Sequence, residues 1–322
     1  MLYPLAFQPT FKERVWGGRK LEQLYHKSLP PGIPIGESWE ISDRPGDVSV
    51  ITNGPLAGKD LRWLMENHSA DLLGDARSHG GRFPLLVKLL DAEEKLSLQV
   101  HPPAKVASVL GGEPKTEMWY VAEAAAGAEL YVGLRRGVSR AEFEQRIKAG
   151  TVAECFHRIS VKAGDAMFLP SGRVHALGAG MVIFEIQQNS DTTYRVFDWN
   201  RLGLDGKPRA LHIPQSLASI NFDDFEPSLV PHAPARDGVP SVRPLVKNPL
   251  FTIESQEAGA GANVPLQPKK LQIIALLTGR LQVCDGPGRL TLTPGQFCLV
   301  PACLAQVTLQ VESQAAFLRV GV

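Results

Sequence analysis

Cysteine is scarce in this chain, with four residues in 322: Cys155, Cys284, Cys298 and Cys303. None forms a C-x2-C pair and residues 1–154 have none, which excludes both a disulfide framework and a zinc ribbon; they read as reduced core thiols. Charge of one sign is missing as well. Thirty-four Lys and Arg face 33 Asp and Glu, a formal net charge of +1, so no long-range field draws nucleic acid or anionic membrane to the molecule. No apolar stretch approaches the roughly 18 residues that suggest a membrane span. The opening segment MLYPLAFQPTFKERVWGG lacks a basic stretch followed by an apolar run and a small-residue cleavage site. A soluble, cytoplasmic protein is expected.

What the chain does have is punctuation. Thirty glycines and 25 prolines separate short apolar runs such as FPLLVKLL, KLSLQVHP, MWYVAE, AELYVGL, AMFLP and MVIFEIQQ, the pattern of a sandwich or barrel of short strands. Two segments depart from it. Asp60 to Leu73 carries apolar residues at helical spacing, and Ser139 to Gly150 opens with the capping box Ser139-x-x-Glu142. The fold expected is mainly β, two jelly-roll barrels with a few decorating helices.

The length suffices for two domains. Residues 228 to 240, SLVPHAPARDGVP, are proline-rich and aperiodic, and read as a linker. The expected division is 1–235 for a catalytic, metal-binding domain and 236–322 for a C-terminal β domain without metal. A weak internal repeat supports two barrels. Gly164 to Pro170 and Gly295 to Pro301 share glycine-to-proline spacing across an apolar strand, and Gln306 falls where the first copy has His175.

The first copy continues as GDAMFLPSGRVH, which resembles the G-x5-P-x-G-x2-H motif of the cupin superfamily. Gly164 permits the turn into a strand, Pro170 and Gly172 shape the next hairpin, and His175 is then aimed at the barrel mouth. Upstream, Gln99 and His101 stand at i and i+2, so on a strand both project from one face. Glu117, expected on the neighbouring strand, completes a set of one amide oxygen, two imidazoles and one carboxylate. Without thiolate, that set suits Zn2+, with Co, Mn or Fe as substitutes in vitro. The remaining histidines, His26, His68, His79, His157, His212 and His232, have no such context.

VWGG at 15–18, GESWEIS at 36–42, FPLLVKLLDA at 83–92, LSLQVHP at 96–102, KTEMWY at 115–120, LPSGRVHALG at 169–178 and TTYRVFDWNR at 192–201 resemble, in order, the pieces of the type I phosphomannose isomerases in their compact bacterial form. The resemblance implies interconversion of D-mannose 6-phosphate and D-fructose 6-phosphate, with one zinc per chain at the positions Gln99, His101, Glu117 and His175. It also implies catalytic roles for Arg195, Lys115 and Glu185, and substrate contacts from Lys88 and Ser97. Larger relatives have a lysine shortly after the T-Y-R arginine; the matching position here is read as Arg201, expected to bind the substrate phosphate, which an arginine can clamp bidentately. They also insert a helical domain that this chain is too short to hold. The partner implied is a small sugar phosphate, and the chain is expected to be a monomer or weak homodimer.

Aldose-ketose isomerisation moves a proton from C2 to C1 through a cis-enediol, so it needs a base near both carbons and a Lewis acid on the oxygens. Glu185 and Lys115 both suit the base, and the sequence does not choose between them. Two other readings are weighed against this one. A dioxygenase of the same superfamily would be expected to carry a third histidine where Gln99 stands. A non-catalytic sugar-binding cupin has no need of Glu117, Lys115, Glu185 and Arg195 together.

Overall fold

The computed structural model describes residues 2–232 and 241–322. The boundary expected near 235 lies outside the described residues. Short strands dominate, as the punctuated sequence requires. They form two facing sheets in the first part of the chain and one strongly bent sheet in the second, the two-barrel, mainly β arrangement.

The first sheet runs in the order Thr10–Gly18, Ile35–Ile41, Leu85–Ala92, Met181–Gln188, Glu117–Ala124 and Ala166–Leu169. The second runs Tyr194–Phe197, Leu98–Val100, His175–Leu177, Glu129–Leu134 and Phe156–Ser160. Every pairing between strands in these two sheets is antiparallel.

Leu85–Ala92 and Met181–Gln188 are buried at nearly every residue, because both faces of the first sheet are covered. Successive side chains alternate between faces. Val87, Leu89, Val182, Phe184 and Ile186 pack outward against Ile253, Ile273, Ala275, Leu299, Leu318 and Val320 of the C-terminal barrel. Leu90, Ala92, Met181 and Ile183 face the interior of the first barrel. Lys88 and Glu185 are register partners across these two strands and share that inward parity. An apolar run with one lysine is thus a two-faced buried strand whose single charge points into the barrel.

In the C-terminal barrel the long strands Gln272–Asp285 and Val307–Gly321 pair along most of their length, with register breaks around Gly279. Gly279 has φ +81°, and a Cβ there would sit 2.1 Å from the Gln314 carbonyl oxygen, so a glycine is required where the pair bends. One half of the pair then serves the shared core and the other closes a separate core of Leu281, Val283, Leu309 and Val311. The N-terminal segment joins this barrel: Leu5 exchanges backbone hydrogen bonds with Leu299.

The helix read over Asp60 to Leu73 is two short helices, Leu61–Asn67 and Ser69–Leu73, with Asp60 capping the first through the Trp63 amide at 2.7 Å. Ser139 caps Arg140–Ala149 as its capping box requires, and Gly150 ends the helix at φ 73°. Lys20–Tyr25, Ala104–Ala107 and Ile213–Ser219 are further short helices that the apolar spacing did not signal. Gln306 is exposed. Among the described residues, no helix is long and apolar enough to cross a membrane.

Candidate active site and metal centre

Antiparallel pairing brings Gln99 opposite His175 on one side and opposite Arg195 on the other, so three sequence-distant side chains occupy neighbouring positions in the second sheet. His101 follows two residues after Gln99, just beyond the strand end. Gly172, at φ +92°, donates its amide to the His101 carbonyl at 2.8 Å, which ties the hairpin before His175 to His101. Glu117 does not come from the strand beside Gln99, as the sequence reading had it. It begins a strand of the first sheet, paired with Ala166–Leu169 and Met181–Gln188, because the segment with the Ala104–Ala107 helix carries the chain from one sheet to the other. The carboxylate therefore meets the histidines across the barrel interior.

The three groups lie within 4.8 Å of one another and are buried. Glu117 Oε2 is 3.4 Å from His101 Nε2, and Oε1 is 3.3 Å from His175 Nε2. Both rings turn Nδ1 outward, to the Thr192 carbonyl and the Arg173 carbonyl, each at 2.9 Å. Nδ1–H donation to a carbonyl fixes the tautomer that leaves Nε2 with a lone pair, the usual outer support of a metal-binding imidazole. Gln99 Nε2 is 3.3 Å from His175 Nε2; a half-turn of the amide brings its oxygen to that place.

Electrostatics prepare the same set for a cation. Burial, reinforced by Lys115, pushes the His101 ring down to about 4. Burial also lowers His175. Burial alone would raise Glu117, but the Lys115 ammonium and His101 outweigh it and hold the carboxyl well below the usual carboxylate range. Two neutral imidazoles and one carboxylate result, the protonation states that metal binding needs. Neither Glu117 oxygen accepts a well-directed hydrogen bond, although Lys115 Nζ stands 2.7 Å from Oε2. Oε1 has no such cation beside it, and a buried carboxylate oxygen left without a hydrogen bond is an unmet demand for positive charge, which a divalent ion satisfies.

Beside this triad opens a cleft of about 570 Å³ lined by Lys88, Ser97, Gln99, Lys115, Glu185 and Arg195, all named from the sequence. Arg201 is not among its lining residues. Its guanidinium donates to Asp198 at 3.1 Å and to the Lys95 carbonyl at 2.6 Å, so it braces the lip from behind. Arg209 lines the cleft instead, with two 2.6 Å hydrogen bonds to Asp198. Lys88 is also differently committed than a phosphate contact would be, since Glu37 and Glu185 lie 3.4 and 3.5 Å from its Nζ.

Residues 5–135 match the family model described as "Phosphomannose isomerase type I, catalytic domain". The chain is similar to the probable mannose-6-phosphate isomerase GmuF of Bacillus subtilis (strain 168), 35% identical over 312 residues that cover 96% of this chain and 97% of the relative. The chain belongs to the type I phosphomannose isomerase family. A mannose-6-phosphate isomerase of Streptococcus mutans serotype c is 36% identical over 302 residues, 94% of this chain and 93% of that one. The crystal structure of the mannose 6-phosphate isomerase from Bacillus subtilis matches over the whole of both chains, with a TM-score of 0.89 and 31% identity.

Type I phosphomannose isomerases are metal-dependent, and His101, Glu117 and His175 are the grouped donors among the described residues. Among the cleft residues that escaped the sequence reading are Arg14, Glu37, Asp191 and Arg209. Two carried a signal. Arg14 immediately precedes VWGG and Glu37 lies inside GESWEIS, and the glycines of those segments make the two strands touch. A Cβ on Gly36 would lie 2.6 Å from atoms of Arg14 and Trp16. Arg209 stands in no motif, and only the folded loop brings it to the cleft.

Proposed function

We propose that this cleft is where the protein, a mannose-6-phosphate isomerase, interconverts D-mannose 6-phosphate and D-fructose 6-phosphate, with zinc held by Gln99, His101, Glu117 and His175. The observation that carries this reading is the buried His101–Glu117–His175 group opening beside a cleft with cations and a carboxylate on its walls. Nitrogen and oxygen donors without thiolate fit Zn2+. When bound there, the ion supplies Lewis-acid polarisation of a sugar oxygen.

The residues divide the remaining work. Glu185 lines the cleft with Oε1 engaged by Trp119 Nε1 at 2.8 Å, so Oε2 is the oxygen available to take the proton from C2 and return it to C1. Lys115, held 2.7 Å from Glu117 Oε2, presents an ammonium rather than a base, which supports Glu185 in that role. Arg195 and Arg209 receive the phosphate. Arg195 Nε is buried without a partner, and burial together with the neighbouring Arg209 disfavours its charge, so a doubly charged phosphate relieves a local excess of cation. Ser97 adds a hydroxyl on the same wall. The C-terminal barrel serves to cover the outer face of the first sheet.

Incubation with mannose 6-phosphate in D2O tests the reaction directly. Fructose 6-phosphate should accumulate, coupled to a reporter enzyme, with deuterium at C1 to the extent that Glu185 exchanges its proton with solvent. Folded, zinc-loaded protein that leaves mannose 6-phosphate unchanged would refute the proposal.

A further inference from the structure

Lys88 stands midway between two buried carboxylates. Its Nζ lies 3.4 Å from Glu37 Oε2 and 3.5 Å from Glu185 Oε2. Each carboxylate is also held by an indole. Trp39 Nε1 donates to Glu37 Oε2 at 2.6 Å, and Trp119 Nε1 donates to Glu185 Oε1 at 2.8 Å. Arg14 closes the series with Nε 2.7 Å from Glu37 Oε1, and the Lys88 ammonium sits 4.8 Å from the centre of the Trp39 ring. The charges alternate across the floor of the cleft, from Arg14 through Glu37 and Lys88 to Glu185.

Neutralising Glu185 does not require this much. Lys88 alone, on the neighbouring strand at the same register, balances its charge, whereas a second buried carboxylate adds desolvation and like-charge repulsion that Arg14 must offset. The extra pair changes where the ammonium rests. Paired with Glu185 alone in a low-dielectric site, Lys88 would close to a contact of about 2.8 Å and occupy Oε2. Divided between two carboxylates, it stays back from both.

We propose that Arg14 and Glu37 are positioning residues for the isomerisation: Arg14 anchors Glu37, and Glu37 holds Lys88 off Glu185, leaving Glu185 Oε2 free to accept the substrate proton. This rests on the assignment of Glu185 as proton acceptor. Neither residue needs to touch the sugar. Gly36, with no side chain to clash with Arg14, lets the Arg14 stem lie against the Glu37 strand, so the first two strands form part of the active site's wall.

The test compares the parent protein with Glu37→Gln, Glu37→Asp, Arg14→Gln and Arg14→Lys, each checked for zinc content and thermal midpoint. Parent turnover establishes the isomerase reading by itself, and its absence sinks both claims. In an active parent, Glu37→Gln should lower kcat at least about tenfold with KM changed less than about threefold, because proton transfer rather than binding is impaired. Arg14→Gln, on a partly exposed side chain, should shift kcat in the same direction by less, and it reads the proposal even where Glu37→Gln folds poorly. Glu37→Asp and Arg14→Lys should recover part of the loss. Lys88→Met placed in the Glu37→Gln background should be faster than Glu37→Gln alone, since the lysine then no longer blocks Oε2. Folded variants with kcat within about twofold of the parent, a loss confined to KM or thermal midpoint, or a double variant no faster than Glu37→Gln would overturn the assignment.

Discussion

His101 and His175 face one another with ring centroids 4.8 Å apart, each anchored through Nδ1 to a main-chain carbonyl. The anchors come from different parts of the chain, Thr192 and Arg173. Both histidines are therefore oriented by the closed fold rather than by each other, and the lone pairs converge on Glu117.

Removing one of these rings should abolish binding rather than weaken it slightly. His175→Ala is expected to purify with little zinc and to lose turnover by a factor of at least about 100, since changes even to outer supports of metal ligands cost about 10–100-fold. Elemental analysis alongside kinetics checks this. A variant with full zinc and full activity would remove His175 from the site.

The phosphate end separates two arginines. Arg209→Ala should raise KM for mannose 6-phosphate by about 10–100-fold, the equivalent of one charge-assisted hydrogen-bonding group at about 1.5–3 kcal/mol. Arg201→Ala should leave KM within about threefold and lower thermal stability instead, because its bonds go to Asp198 and the Lys95 carbonyl. Steady-state kinetics that reversed this order would restore the assignment made from the sequence.

Asp91 offers a pH test away from the chemistry. Its carboxylate accepts the Lys20 amide at 2.7 Å, and burial, followed by smaller influences, pushes it from 3.8 up to about 6. The folded state then binds more protons than the unfolded state between these values. This group's stabilising contribution is full below about pH 4 and is lost as pH rises through about 6, leaving a deficit on the order of 2–3 kcal/mol at pH 7. Asp91→Asn keeps an acceptor without the charge. Urea unfolding should find the variant more stable than the parent at pH 7, with the gain shrinking toward pH 4; a gain independent of pH would contradict this origin.

The interface between barrels makes a fourth prediction. Ile273 is fully buried in the core shared by the first sheet and the C-terminal barrel. Ile273→Ala should destabilise by about 2–5 kcal/mol while kcat at 25 °C stays near the parent value. Removal of residues 241–322 exposes that whole face and should give insoluble protein. A soluble, fully active remainder would show that the barrel does not serve packing.

Much of this was legible before folding. The period-two runs and the Gly-x5-Pro repeat gave two barrels, and Gln99, His101, Glu117 and His175 could be picked out from spacing and chemistry. What escaped was determined across the sheets. Glu117 was placed on the wrong neighbour because i to i+2 periodicity fixes the face of a strand but not its partner. Lys88 was read as a substrate contact, since nothing local reveals that Glu37 and Glu185 flank it at matching distances. Arg201 and Arg209 lie eight residues apart in one loop, and only the turn around Gly203 and Gly206, where amides bond back to Lys207 and Gly203, decides which faces the cleft.

The most direct test of the central claim is the rate of fructose 6-phosphate formation from mannose 6-phosphate before chelation, after it, and after zinc is restored, with His175→Ala alongside. The account predicts turnover that vanishes with the metal, returns when zinc is added to the parent, and does not return in His175→Ala. Turnover unaffected by complete metal removal would contradict it.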